Sequence, residues 1–167
     1  MLTTNRLTIS AEADTVFRLA ADVLRWPQIL PHYRWVKVQR DDQQRVVVEM
    51  AARRDFIPVR WVSIQEVDAE RRVIRYKHIG GATKGMDVEW SFIERDGKVT
   101  AVIVHEWDPP WPLPKLLRRP LAHLAGELFV KAIADRTLHY IKLHAEQETV
   151  RPGQLEMGSG ANTEETA

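Results

Sequence analysis

The chain has 167 residues, of which 44% are hydrophobic and 28% are charged, and its formal net charge is +1. This length suits one domain with a substantial core. The balanced charge argues against a nucleic-acid partner, because binding a polyanion requires a basic surface. The absence of cysteine excludes disulfides, thiolate metal ligands and cysteine nucleophiles. The start of the chain lacks the apolar core of a signal peptide, and no stretch reaches the ~18 apolar residues of a membrane span. We therefore expect a cytoplasmic protein.

The chain begins with a strand and two short helices. Residues 3–10 alternate between apolar and polar side chains, which predicts a strand. Asp14 then precedes a run whose apolar residues share one helical face. Trp26-Pro27 interrupts that run, and residues 28–30 have room for one more turn.

Six further strands follow, and they are separated by short turns. Asp96-Gly97, which divides the last two, is a strong signal for a two-residue hairpin. Because short turns join antiparallel neighbours, we expect a meander. The predicted strands cover residues 33–40, 45–54, 58–67, 72–79, 86–95 and 98–107.

The longest helical pattern runs from Pro120 to about Glu148. Pro120 suits a first helical turn, where a missing N–H costs nothing, and Pro152-Gly153 stops any continuation. A sheet of about seven strands curved around this helix is an α+β helix-grip fold. The apolar residues that recur at helical spacing are Val130, Ile133, Ala134, Thr137, Leu138, Ile141 and Ala145.

Two segments have no regular pattern. Residues 109–120 are rich in proline, which predicts a stiff lid over a cavity. Their leucines and basic residues leave open a transient contact with an anionic membrane or a carrier protein. Residues 149–167 are predicted to be a disordered tail, which leaves a single domain over residues 1–148.

The inward faces of the predicted strands indicate a ligand site. A curved sheet gripped by a helix leaves a cavity, and aromatic walls with a few polar tips suit a large apolar ligand with scattered oxygens. An ordinary core, with its polar tips bonded to backbone or water, is the alternative. By the two-residue period of strands and the helical pattern, the candidate ligand-binding residues are Trp61, Ser63, Tyr76, Met86, Trp90, Ile103, Trp107, Leu128 and Ile133.

Three other chemistries are poorly supported. The glycine-rich segment 80–85 lacks the order of a phosphate loop and precedes a strand. His105 and Glu106 point to opposite faces of their strand, and no other histidine stands at ligand spacing. Ser63 lacks the surroundings of a hydrolase nucleophile. We expect neither a metal nor a cofactor.

These residues together resemble the START-like (SRPBCC) superfamily of lipid-transport proteins and, within it, the aromatase/cyclases of bacterial aromatic polyketide synthesis. The similarity covers residues 3 to about 147. It implies an internal cavity that receives a reactive poly-β-ketone and directs its folding, ring closure and dehydration. The resemblance is carried by Asp22, Trp26-Pro27, Tyr33, Trp61-Val62-Ser63, Met86, Trp90 and the strand end from His105 to Trp107.

One position departs from that family. In cyclases of this type, an arginine tied to catalysis typically follows the serine of Trp-Val-Ser by two positions, and here that position holds Gln65. Tyr33 matches a pocket tyrosine of the family. The resemblance therefore implies a retained cavity and a lost or relocated cation. One hypothesis is a cofactor-independent cyclase that uses Tyr33, Gln65, His78 and His105. The other is a non-catalytic carrier of a quinone or lipid.

Overall fold

Seven antiparallel strands form one curved sheet that grips a C-terminal helix. The computed structural model describes residues 1–42, 45–110 and 114–150. The spatial order β1-β7-β6-β5-β4-β3-β2 joins neighbours by hairpins, except that β1 returns to pair with β7. The meander and the helix-grip fold predicted from the sequence are confirmed. The strands are β1 (Leu2–Ile9), β2 (Tyr33–Asp41), β3 (Arg45–Arg54), β4 (Ile57–Asp68), β5 (Val73–Gly81), β6 (Met86–Arg95) and β7 (Lys98–Trp107).

The helices lie at the two ends of the chain. Helix α1 covers Ala13–Ala21, a 3₁₀ turn covers Val23–Arg25, and α2 covers Trp26–Ile29. The C-terminal helical segment consists of α3 (Lys115–Ala125), a π-helical turn (Gly126–Val130) and α4 (Lys131–Val150). Among the described residues, no helix is long and apolar enough to cross a bilayer.

The predicted start of the long helix was wrong. Helical structure begins at Lys115, so Pro120 lies inside α3 instead of in a first turn. The turn that opens α3 is stabilised by a hydrogen bond from the Leu117 N–H to the Pro114 carbonyl. Pro120 has no N–H to bond the Leu116 carbonyl, and both residues are exposed, so water can replace the missing hydrogen bond. At the other end the helix continues to Val150, two residues into the predicted tail. Residues 151–167 lie outside the described residues, so their disorder stays a prediction.

One face of α4 closes the core. Its buried residues recur at spacings of three and four, as the sequence predicted, and small residues at Ala134 and Ala145 let the helix approach the sheet closely. The buried side chain of Asn5 on β1 donates hydrogen bonds to the Lys131 carbonyl (3.1 Å) and to Asp135 Oδ1 (2.6 Å). These contacts fix the first turn of α4 over the edge of the sheet.

Gly81 and Gly97 are two of the glycines with positive φ, at +80° and +69°, but their surroundings differ. Gly81 ends β5 next to a shift in its pairing with β4. A Cβ at Gly81 would lie 2.3 Å from the Arg60 carbonyl oxygen and 2.6 Å from Trp61 Cα, whereas a Cβ at Gly97 would meet nothing within 4 Å. The backbone of β4 cannot move aside without disturbing the sheet.

We therefore expect Gly81→Ala to cost about 3 kcal/mol or more of unfolding free energy, since backbone strain and overpacking add. Gly97→Ala is the matched control and should cost only about 1–2 kcal/mol from the positive φ. Urea unfolding of both variants measures the difference. Equal losses would contradict the close approach of β5 to β4.

Candidate functional site

A cavity of about 90 Å³ lies between the inner face of the sheet, α2, the π-helical turn and the first part of α4. Among the described residues, eighteen side chains line it, and none of these is aspartate, glutamate, lysine or arginine. The cavity is therefore an uncharged chamber, in contrast with the outer face of the sheet, where Arg75 pairs with Glu89 and Lys77 with Asp87.

Six of the eighteen lining residues are tryptophan, tyrosine or phenylalanine. The Trp26 ring lies 4.9 Å from the ring of Tyr33 and 6.0 Å from that of Trp90. Its indole N–H donates to the Leu19 carbonyl, which fixes the ring against α1. On the opposite side, Trp61 stacks on His78 with an interplanar angle of 13°. These fixed flat surfaces suit a planar or ring-forming guest.

Two buried tyrosines supply hydroxyl groups. Burial raises the pKa of Tyr33 and of Tyr76 well above the ordinary value, and the proximity of Tyr33 adds to the shift at Tyr76. Both hydroxyls are therefore protonated at neutral pH. Tyr76 accepts a hydrogen bond from Gln65 (3.1 Å). Thr137 beside Tyr33 offsets part of the rise in the pKa of Tyr33.

Two histidines complete the polar lining. Burial lowers the pKa of His78 to about 3, with a contribution from His105, and burial lowers the pKa of His105 to about 4. His78 Nδ1 lies 2.6 Å from the Thr83 hydroxyl, which orients its ring. Both imidazoles are neutral at pH 7. They can form hydrogen bonds with a ligand and pass a proton, although burial makes them weak bases.

Charged residues stand outside the chamber, where β3 and β4 meet the C-terminal helix. The Arg54 guanidinium lies over the ring of Phe129, 5.5 Å from its centroid. Arg136 on α4 bonds Asp55 at 2.7 Å. These contacts join the β3–β4 turn to the wall that Phe129 contributes.

The structure brings nine of the thirteen predicted site residues to the cavity wall and places four elsewhere. Ser63 and Gln65 are buried beyond the wall, and Gln65 donates to the Ala21 carbonyl at the end of α1. Trp107 is buried and donates its indole N–H to the Lys84 carbonyl. Leu128 is exposed on the outside. The nine at the wall are Tyr33, Trp61, Tyr76, His78, Met86, Trp90, Ile103, His105 and Ile133.

Nine other lining residues were missed as site residues. Two-residue periodicity could have found Val88, which lies between Met86 and Trp90 on the same face of β6, and the helical pattern already contained Val130, Ala134 and Thr137. Trp26 belongs to neither periodic pattern, and its only signal in the sequence was the Trp26-Pro27 pair that contributes to the family resemblance. The complete set is Trp26, Met50, Val59, Thr83, Val88, Phe129, Val130, Ala134 and Thr137.

Metal binding finds no support in the described parts of the chain, where no three His, Asp or Glu side chains gather closely enough to hold an ion. The donors at the cavity are two tyrosines, two histidines and two threonines. That set suits hydrogen bonding to a neutral guest better than ligation of a cation.

Comparisons with known proteins agree with this architecture. The model of the polyketide cyclase/dehydrase and lipid transport family matches residues 9–134. The chain therefore belongs to this family. A putative polyketide cyclase from Streptomyces cyaneus is 27% identical over 95 residues, which is 55% of this chain and 62% of that protein. The chain thus matches less than two thirds of that relative's length.

Solved structures share the fold. The Zhui aromatase/cyclase from Streptomyces sp. R1128 superposes with a TM-score of 0.76 at 22% identity, over 89% of this chain and 95% of that one. A START superfamily protein from Mycobacterium smegmatis gives a TM-score of 0.66 at 14% identity, over 88% and 98% of the two chains. At these identities the likeness establishes the helix-grip fold and nothing more specific.

The buried histidines predict a pH-dependent stability. Unfolding returns each imidazole to its ordinary pKa of about 6.5, whereas the folded protein keeps His32, His78 and His105 neutral down to about pH 3–4. The unfolded chain therefore takes up protons first. The free energy of unfolding should be highest above pH 6.5 and fall between pH 6.5 and 4, by up to about 3 kcal/mol per histidine.

Urea unfolding at a series of pH values measures this slope. His105→Gln should make the decline shallower, because it removes one of the three buried histidines with a lowered pKa. The exposed residue His139 provides the control variant His139→Gln, which should keep the wild-type slope. A wild-type stability that is flat from pH 7 to 4 would show that the cavity histidines are solvated.

Proposed function

We propose that this protein binds a neutral, largely apolar small molecule between its sheet and C-terminal helix. The candidates are a polyketide-like aromatic compound, a quinone and a lipid. The observation that carries the proposal is the uncharged chamber with aromatic walls and a few neutral hydrogen-bonding groups. A carboxylate or ammonium group inside it would lose its hydration without meeting an opposite charge. The interior therefore selects against ions.

The size of the chamber indicates that its wall moves when a ligand binds. Cavities for drug-sized ligands measure about 300–1,000 Å³, whereas this one measures about 90 Å³. The wall formed by Phe129, Val130 and Ile133 is only half-buried, and it belongs to the π-helical turn and the start of α4. π-Helical turns frequently mark functional sites in helices. We place the opening movement there.

Cyclisation is the reaction that suits this site. Closing a ring in a poly-β-ketone moves a proton from a methylene carbon to a base, and the new C–C bond turns a carbonyl oxygen into a hydroxyl, which takes a proton in return. His78 or His105 are the candidate bases, and a tyrosine hydroxyl is the candidate acid. Because no cation lies among the lining residues that the structure describes, most of the rate would come from holding the chain folded in a dry space.

The test of this cyclase is incubation with a poly-β-ketone chain, in which wild-type protein should alter the product distribution and His78→Gln should reduce that effect. Unchanged products would exclude the cyclase.

Ligand binding itself is tested by tryptophan fluorescence. Anthraquinone should quench the signal saturably at micromolar concentration, whereas its 2-sulfonate should bind at least about tenfold more weakly, because the sulfonate cannot be desolvated without cost. Trp61→Leu should weaken anthraquinone binding. Trp35→Leu changes a tryptophan outside the cavity lining and serves as the matched control. Equal affinity for both probes would contradict an uncharged binding site.

The second candidate function is a carrier that touches a membrane through residues 109–120. The observation that favours it is a set of exposed leucines on α3 and just beyond it, among them Leu117, Leu121 and Leu124. The sequence from 109 to 126 has three basic residues and no acidic ones. An amphipathic helix with such a composition is suited to an anionic lipid surface. Residues 111–113 of this segment lie outside the described residues.

Vesicle sedimentation tests the carrier. The protein should bind vesicles that contain phosphatidylglycerol and not vesicles of phosphatidylcholine alone, and salt should weaken binding. Leu124→Glu should reduce it about tenfold or more. Leu24→Glu is the matched control, since both leucines are 54% exposed and Leu24 lies in the 3₁₀ turn. Loss of binding in both variants, or in neither, would contradict docking through α3. Concentration-dependent self-association that Leu124→Glu abolishes would assign the leucines to a second copy of the chain.

A further inference from the structure

We propose that Gln65, although it lies outside the cavity, holds the Tyr76 hydroxyl as a hydrogen-bond donor that faces the ligand. Tyr76 would thereby select a guest that presents a carbonyl-type oxygen, such as a quinone or the keto group of a β-ketone. This inference rests on the proposed function, because it assumes that the cavity holds a ligand. It assigns Gln65 the role of a positioning residue.

The orientation of the Gln65 amide follows from its two neighbours. Its Nε2 lies 2.8 Å from the carbonyl oxygen of Ala21 and 3.1 Å from the hydroxyl oxygen of Tyr76. The oxygen and nitrogen of an amide are hard to tell apart by shape alone. A backbone carbonyl can only accept, so the end that faces Ala21 must be the NH₂ group. That group has two protons, and its second proton points to Tyr76.

The direction of the bond to Tyr76 has a consequence for the ligand. Because Gln65 donates, it uses a lone pair of the Tyr76 oxygen and leaves the hydroxyl proton uncommitted. Among the described residues, Gln65 is the one hydrogen-bond partner of this hydroxyl. Tyr76 is buried and lines the cavity. A buried hydroxyl proton requires an acceptor, and a ligand oxygen in the cavity that Tyr76 lines would supply it.

The Tyr76 hydroxyl would distinguish between ligands of equal shape. A hydrocarbon such as anthracene fills the same space as anthraquinone but offers no acceptor, so binding it would leave the Tyr76 proton unpaired. The carbonyl oxygen of anthraquinone would pair it. The ratio of the two affinities therefore reports on the Tyr76 hydroxyl. A purely structural role of Gln65 would affect both ligands alike and leave this ratio unchanged.

The experiment measures dissociation constants of anthraquinone and anthracene by tryptophan quenching. Wild-type protein should prefer anthraquinone by about fivefold to tenfold, which corresponds to one hydrogen bond. Tyr76→Phe should abolish the preference and leave anthracene binding nearly unchanged. Tyr140→Phe removes the third tyrosine hydroxyl of the chain, which is not among the lining residues, and should keep the preference.

Gln65→Glu tests the positioning role. In either protonation state this side chain offers an acceptor to Tyr76 and draws its proton away from the chamber, so the preference for anthraquinone should be lost. If this variant does not fold, Gln65→Met serves instead: it removes the hydrogen bond that orients Tyr76 and should lower the preference without lowering the affinity for anthracene. Infrared spectra provide a second readout. The carbonyl band of bound anthraquinone should lie at lower frequency in wild-type protein than in Tyr76→Phe.

The outcomes separate this inference from the proposed function. If neither probe binds, the proposed function itself fails. If both bind with equal affinity to wild-type protein, or if Tyr76→Phe keeps the preference, only the donor role of Tyr76 is overturned. If Tyr76→Phe loses the preference while both Gln65 variants keep it, Tyr76 is the donor and Gln65 does not position it.

Discussion

The packing of one helix face against a curved sheet determines the rest of this structure. Along the second half of α4, Leu138, Ile141 and Ala145 are fully buried, and an Arg18–Glu148 ion pair of 2.6 Å joins this half to α1. The core is closed there. At the other end, Phe129 and Ile133 are half-buried and face the cavity. A single helix cannot follow a curved sheet along its whole length, so a space remains where the sheet bends away. The fold thus creates its binding site by the same packing that stabilises it.

The character of this space comes from where the chain puts its charges. Although 28% of the residues are charged, none of those that the structure describes lines the cavity. The histidines of the lining are held neutral by burial. An arginine at position 65 would alter this balance. With glutamine there, the side chain lies behind the wall and bonds the Tyr76 hydroxyl, through which we propose that it acts on a ligand. The site is therefore better suited to holding and orienting a neutral guest than to stabilising strong negative charge, which would favour ring closure by folding over ring closure by electrostatic activation.

Much of the fold could be predicted from the sequence, because alternation of apolar residues decides which strand face is buried. His78 and Trp90 reached the cavity by this rule. The rule could not tell how far along a strand the cavity extends, and Gln65 shares the inward face of β4 yet ends beneath α1. Leu128 was misplaced for a different reason, since at about 100° per residue it does not share the helix face of the buried residues Leu138 and Ile141. Trp26 and Phe129 reach the wall through turns, whose geometry depends on tertiary contacts that a periodic pattern does not contain.

The central claim is that ligands enter the uncharged chamber between sheet and helix. A crystal structure of the complex with anthraquinone tests this most directly. The account predicts electron density for the ring system between Trp26, Trp61 and Trp90, an anthraquinone oxygen within hydrogen-bond distance of Tyr76, and a displacement of the wall around Phe129. Density confined to the exposed leucines of α3, with the chamber unchanged, would contradict it.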